Sequence, residues 1–100
     1  MAGTDIKSTL SERGNRYGDF IDNAIPSQAI KDVMRSQPGW DRLKQDQKEA
    51  LDQIACKISR TLSGDPDYAD NWHDIVGYAQ LVEDRIHKLA TEKVNGRPAV

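Results

Sequence analysis

Two long stretches of helical periodicity, separated by four residues that resist helix, constrain this chain more than any other feature. Over 46–63, Ala50, Leu51, Ile54, Ala55, Ile58 and Leu62 recur at the spacing of one helix face. Over 70–92, Trp72, Ile75, Ala79, Val82, Ile86 and Leu89 alternate steps of three and four, as in a coiled-coil seam. Between them stands Gly64-Asp65-Pro66-Asp67. Glycine ends a helix without side-chain strain, and proline removes an amide that the next turn needs. A connection this short predicts an antiparallel hairpin. Asp46-Gln47-Lys48-Glu49 has the form of a capping box and marks the expected start of the first helix. Asp70 or Asn71 is the expected cap of the second.

The hairpin needs a cover, and the N-terminal half supplies candidates. Thr4 can cap a short arm reaching Leu10 or Arg13, with only Ile6 and Leu10 as apolar contacts, so its stability depends on docking. Arg13-Gly14-Asn15-Arg16-Tyr17-Gly18-Asp19 is expected to break that arm, because two glycines stand four residues apart. Asp19 can cap a further helix with apolar residues at Phe20, Ile21, Ala24, Ile25, Ala29, Ile30, Val33 and Met34. Pro26 predicts either a kink over 22–25 or two helices, the second starting there. Gln37-Pro38-Gly39 ends the segment, and Trp40 and Leu43 are expected to anchor the connection on the core.

On the last helix a second stripe, Asp74, Tyr78, Leu81 and Arg85, lies off the seam and predicts another packed face, against the N-terminal helices or a second copy. Gly77, mid-helix at a cost of ~1 kcal/mol relative to alanine, points to a helix backbone passing close by. The expected fold is therefore all-α: a hairpin of about 46–63 and 70–92 packed with one or two N-terminal helices and completed by oligomerisation. Residues 1–93 form one domain and 94–100 read as a flexible tail.

A chain of 100 residues buries only ~60–65% of its unfolded surface, so its own core is marginal. With 14 basic and 16 acidic side chains the net charge is -2, which argues against a dedicated nucleic-acid binder. The single cysteine, Cys56, excludes an intramolecular disulfide and a multi-cysteine zinc site; it falls on the polar side of its helix with no histidine beside it. No apolar run is long enough to span a bilayer, and 1–10 carry no secretory pattern, so a cytoplasmic setting is expected.

Three groups could carry chemistry. The segment over 13–19 is either a polar connector with a glycine cap or an anion-contacting loop, in which Arg13 and Arg16 offer forked donors and Tyr17 a stacking face. It is neither a phosphate-binding Walker loop nor a dinucleotide fingerprint. Asp65, Asp67, Asp70 and Asp74 are either turn and cap residues or part of a Mg²⁺ site, for which Asp70 and Asp74, four apart on one face, are the candidates. Lys57 flanks its apolar stripe and can reach Asp74 across the hairpin, either as a register-fixing ion pair or as a phosphate-binding lysine, with Arg60 one turn on. His73 and His87 lie on different faces without zinc spacing.

The motifs Glu12-Arg13-Gly14-Asn15-Arg16-Tyr17-Gly18-Asp19-Phe20, Lys57-Ile58-Ser59-Arg60 and Gly64-Asp65-Pro66-Asp67-Tyr68-Ala69-Asp70-Asn71-Trp72-His73-Asp74-Ile75-Val76-Gly77-Tyr78-Ala79 resemble a family of small uncharacterised helical proteins of tailed phages and prophages. A weaker likeness runs to the all-α nucleotide pyrophosphohydrolases of the MazG type, whose facing acidic helices hold Mg²⁺ around a nucleoside triphosphate. Here Asp70 and Asp74 answer to one such helix, while the other has Lys57 where an acid belongs, and Glu49 and Asp52 fall on the solvent side.

The phage resemblance brings no established activity with it; the glycine-flanked basic loop and the off-seam stripe on the last helix lead to the expectation of a phage accessory protein in the host cytoplasm that binds a nucleotide-like ligand or a host protein without catalysis. Arg13, Arg16, Tyr17, Lys57, Arg60 and Asp74 are its expected contacts. The alternatives are a Mg²⁺-dependent pyrophosphohydrolase and a helical oligomer acting through protein contacts alone, with self-association expected throughout.

Overall fold

The computed structural model describes residues 5–94, and among these the chain is helical from end to end. α1 is Ile6–Tyr17, α2 is Phe20–Ser36, α3 is Gln45–Ser63 and α4 is Ala69–Val94, with a 3₁₀ turn at Pro38–Arg42 between α2 and α3. The hairpin expected from periodicity is α3 and α4. α3 is the middle helix: α4 packs along one side of it and α2 along the other, while α1 meets the layer over a short length. Residues 95–100, most of the expected tail, and Thr4, the expected first cap, lie outside the described residues.

Three helix ends differ from the local signals: the start of α1 by one residue, its end by a full turn and the start of α3 by two residues. Gly14 does not break the first helix; it sits inside α1, where a glycine costs ~1 kcal/mol but leaves the hydrogen-bond ladder intact. Gly18, with φ of 80°, is the true end, and its N–H closes on the Gly14 carbonyl at 2.8 Å. Asp5 rather than Thr4 caps the start, accepting from the Lys7 N–H. At α3 the expected Asp46 cap is replaced: Gln47 Oε1 accepts from the Lys44 N–H at 2.8 Å, and Asp46 turns to Arg85 instead. α4 begins at Ala69, so both candidate caps, Asp70 and Asn71, fall within its first turn.

Pro26 neither splits α2 nor ends it. A proline nitrogen has no hydrogen for the carbonyl one turn back, here Asp22. Ser63 Oγ, from α3, donates to that carbonyl at 2.9 Å. One turn earlier on α3, Ser59 Oγ donates to the carbonyl of Asn23. Asn23 Oδ1 lies 2.7 Å from the same Oγ as a second acceptor, so one hydroxyl proton is shared between the Asn23 carbonyl and its side-chain oxygen. Two serines at i,i+4 spacing thus satisfy the stretch of α2 that its proline loosens.

This seam fixes which face of α2 turns inward. The small polar residues Asn23 and Ser27 meet α3, with Ser27 Oγ 3.7 Å from Cys56 Sγ, so the polar side of α3 on which Cys56 falls is a helix contact rather than a solvated face. The apolar stripe of α2 is consequently not buried: Phe20, Ile21, Ile25 and Val33 are all exposed. Among the described residues the only buried apolar side chains are Ala50 and Ala55, both on α3. Ser27, Lys57, Ser59 and Asn71 are buried polar groups, and the Asn71 amide nitrogen has no partner among the described residues.

Ion pairs set the helix registers. Asp52, expected toward solvent, is reached by Arg35 of α2 at 3.2 Å. Trp40 is half-buried beside the same arginine, with Arg35 Cζ 5.9 Å and Lys48 Nζ 5.8 Å from its ring centre. Arg85 grips both oxygens of Asp46 at 2.8 and 2.9 Å. That hydrogen-bonded guanidinium holds the Asp46 carboxyl below the usual carboxylate range.

Two outcomes are expected. Ser59→Ala removes the hydroxyl bond to Asn23 from a part-buried seam, though the Asn23 carbonyl keeps its helix donor at Ser27, and is expected to lower stability by about 0.5–1.5 kcal/mol in urea unfolding, whereas Ser59→Thr, which keeps the hydroxyl, loses less. Because folded Asp46 takes up its proton less readily than the unfolded chain, its contribution is present above pH ~4 and is lost as pH falls through the depressed value. Arg85→Gln is expected to flatten the acid limb of the melting temperature against pH.

Candidate functional site

The end of α1 is clasped onto the end of α3, and a cleft lies beside this contact. The Asp65 N–H donates to the Arg16 carbonyl at 2.9 Å. The backbone at Gly18 lies directly against Ser63, and that at Gly64 directly against Arg16 and Tyr17, so closely that a Cβ at either glycine would collide with main-chain atoms. The two glycines therefore act as a pair across the clasp. Tyr17 meets the Tyr68 ring edge-on at 5.8 Å. Arg16 pairs with Glu12 at 2.6 Å and donates to the Tyr68 hydroxyl at 3.0 Å, which in turn donates to Asp70 at 3.0 Å. The bond to the Asp70 carboxylate pushes the Tyr68 phenol up from its ordinary value.

Between α1 and α2, floored by Cys56 and Arg60 of α3, lies a cleft of about 540 Å³. Arg13 and Arg60 both approach the ring of Tyr17, with Cζ 5.2 and 4.8 Å from its centre. Lys31 of α2 lines the same cleft, and Asp19 is its one acidic residue. Neither Arg13, Arg60 nor Lys31 is within 4.0 Å of a carboxylate among the described residues, in contrast to Arg16, Arg35, Lys57 and Arg85. Leu10, Ala24 and the largely exposed Phe20 give the cleft apolar walls. It is a water-accessible hollow with unpaired cations around an aromatic ring.

The six expected contacts therefore separate. Arg13, Tyr17 and Arg60 converge on the cleft. Arg16 belongs to the clasp, on the Tyr68 side. Lys57 and Asp74 form their ion pair across α3 and α4, at 3.1 Å, with the lysine side chain 11% and the aspartate 43% exposed. That pair does not line the cleft, so the N-terminal segment closes over Arg60 and Tyr68 and not over Lys57. Asp74 instead borders a shallow hollow on α4 with His73, Gly77, Tyr78 and Leu81. No atom of the described chain approaches Gly77 closely enough to require a glycine there.

Of the metal candidates, Asp70 accepts from Tyr68 and Asp74 is held by Lys57, while Asp65 Oδ1 accepts from the Asp67 N–H as a turn residue. Among the described residues no three His, Cys, Asp or Glu side chains gather. The sequence reading missed Lys31, Asn23 and Ser27. Their signal is a polar stripe at four-residue spacing on α2, masked along the chain by the longer apolar pattern beside it.

Family models, curated proteins and solved structures were all compared with this chain, and none matches it.

The Lys57 and Asp74 pair makes its own prediction. Asp74→Ala leaves a nearly buried ammonium without its partner, and is expected to cost more stability than the double change Lys57→Met with Asp74→Leu, which removes both charges. Thermal or urea unfolding of the two variants distinguishes the order.

Proposed function

We propose that this chain is a binding module that takes a small phosphate-bearing ligand with a flat ring, nucleotide-like in chemistry, in the cleft between α1 and α2. The observation that carries the reading is the pair of carboxylate-free guanidiniums, Arg13 and Arg60, set at the ring of Tyr17. Guanidinium forks match phosphate oxygens in both geometry and charge, and Lys31 adds a third cation. Leu10 and Phe20 offer apolar and aromatic surface to a base. A volume of about 540 Å³ lies within the ordinary ligand-pocket range of ~300–1,000 Å³. Three cations against one carboxylate, Asp19, suit the cleft to holding an anionic ligand, and the motif likeness to phage and prophage proteins fits an accessory binding role in a host cell.

Calorimetric titration with nucleosides and with nucleoside mono-, di- and triphosphates tests this. The phosphorylated forms are expected to bind, the bare nucleosides to bind at least tenfold more weakly, and affinity to fall with added salt. Arg60→Ala is expected to weaken binding by tenfold or more, while Arg35→Ala, outside the cleft, leaves it unchanged. No heat with any phosphorylated compound would remove the proposal.

A further inference from the structure

A layer of three helices with two buried alanines as its apolar interior is half of a fold. Stable domains place two layers against each other so that apolar stripes on both are covered. Here the missing cover can be located. At 100° per residue, Leu51, Ile58 and Leu62 fall within ~40° of one another on α3, diametrically across the helix from Cys56 and Arg60 at the cleft floor. On α4, Trp72, Val76 and Ile86 share one arc with Ala79, and the register set by Lys57 with Asp74 and Asp46 with Arg85 brings the two arcs onto the same side of the layer. All six large side chains are exposed, Leu62 at 70% and Val76 at 63%.

The face has a shape as well as a composition. At one end, Leu43, Leu51, Ile54, Val82 and Ile86 line a groove of about 440 Å³ between α3 and α4, with Glu83 at its edge. At the other end, next to the interhelix loop, Leu62 and Trp72 stand out from the surface. The indole nitrogen of Trp72 already donates to the Pro66 carbonyl at 2.8 Å, so the rest of its ring is free for apolar contact. Leu51 and Leu62 are eleven residues apart, ~16 Å along α3.

We infer that this face is covered by a second copy of the chain, in an antiparallel two-fold arrangement that seats Leu62 and Trp72 of each protomer in the groove of the other. A two-fold interface must be self-complementary, and a surface bearing a projection at one end and a groove at the other meets that requirement only when turned end for end on itself. The exposed parts of the six residues come to roughly 600 Å², about three quarters of the ~800 Å² that each partner gives to a standard interface, and the other groove-lining residues and a polar rim add to it. A cover that the fold needs permanently must be present whenever the chain is, and its own copy is the partner that meets this condition. The axis passes near Ile58, and both clefts face outward. The interface differs from the Tyr78 and Leu81 stripe expected from sequence, which lies toward the opposite edge of α4.

Sedimentation velocity of the native chain is expected to give twice the 11.2 kDa protomer mass, and melting is expected to depend on concentration. Leu62→Glu, at a position that contributes little within the protomer, is expected to halve the mass or abolish the cooperative melt. Single cysteines placed in a Cys56→Ser background remain informative even where such a variant fails to fold. Ile58→Cys is expected to cross-link two chains with a short bismaleimide, and Leu81→Cys is not. A native chain that sediments as a monomer with a concentration-independent melt overturns the inference. So does a cross-link at 81 without one at 58, or any assembly other than a dimer.

Discussion

The carbonyl that Pro26 leaves without a donor is the constraint from which much of the arrangement follows. Ser63 supplies the missing hydrogen bond at the exposed edge of the seam, worth about 0.5–1.5 kcal/mol, while Ser59 adds a part-buried bond to the next carbonyl along. To make those bonds α2 must present Asp22 and Asn23 to α3. Its rotation is then set, with Asn23 and Ser27 inward beside the half-buried Ile30 and Met34. The wide apolar stripe that periodicity would bury is turned away by a hydrogen-bond requirement.

Both surfaces of interest descend from that rotation. Turning Asn23 and Ser27 toward α3 carries Lys31 to the mouth of the cleft, where it joins Arg13 and Arg60 around Tyr17. The cleft also needs α1, which makes few contacts of its own and is held at one end by the paired glycines and the Arg16 carbonyl. On the far side of the layer the same packing leaves Leu51, Leu62, Trp72 and Val76 uncovered. A cationic hollow on one face and an apolar plane on the other divide the molecule's two proposed uses, ligand on the outer side and partner on the inner.

The hairpin was legible because its signal is local and repeated. Helical periodicity, a Gly and Pro loop and complementary charges at Lys57 and Asp74 all point to one antiparallel pairing, and α3 and α4 adopt it, although Leu51, Ile58, Leu62, Trp72 and Ile86 of the expected seam stay exposed beside it. The cleft was legible in part. Arg13, Tyr17 and Arg60 stood out as residue types suited to anions, and the fold unites them. Arg16 and Lys57 were of the same type yet went elsewhere, since which side of a helix faces a hollow depends on how far the helix extends. Reading a break at Gly14 instead of Gly18 shortens α1 by a turn and misplaces every residue after it. Lys31 was overlooked because the apolar residues beside it gave the stronger pattern.

By itself, then, the sequence determined helix content, the antiparallel pairing of the last two helices and the residues able to pair across it, because each depends on spacings within a few turns or on a loop too short to allow anything else. Tertiary structure alone decided the rotation of α2, the end of α1 and the face left bare. Those depend on which donor, from forty residues away, reaches a carbonyl that proline has left open, and on two glycine backbones meeting at a distance no side chain would permit. Such requirements have no period, and so leave no pattern along the chain.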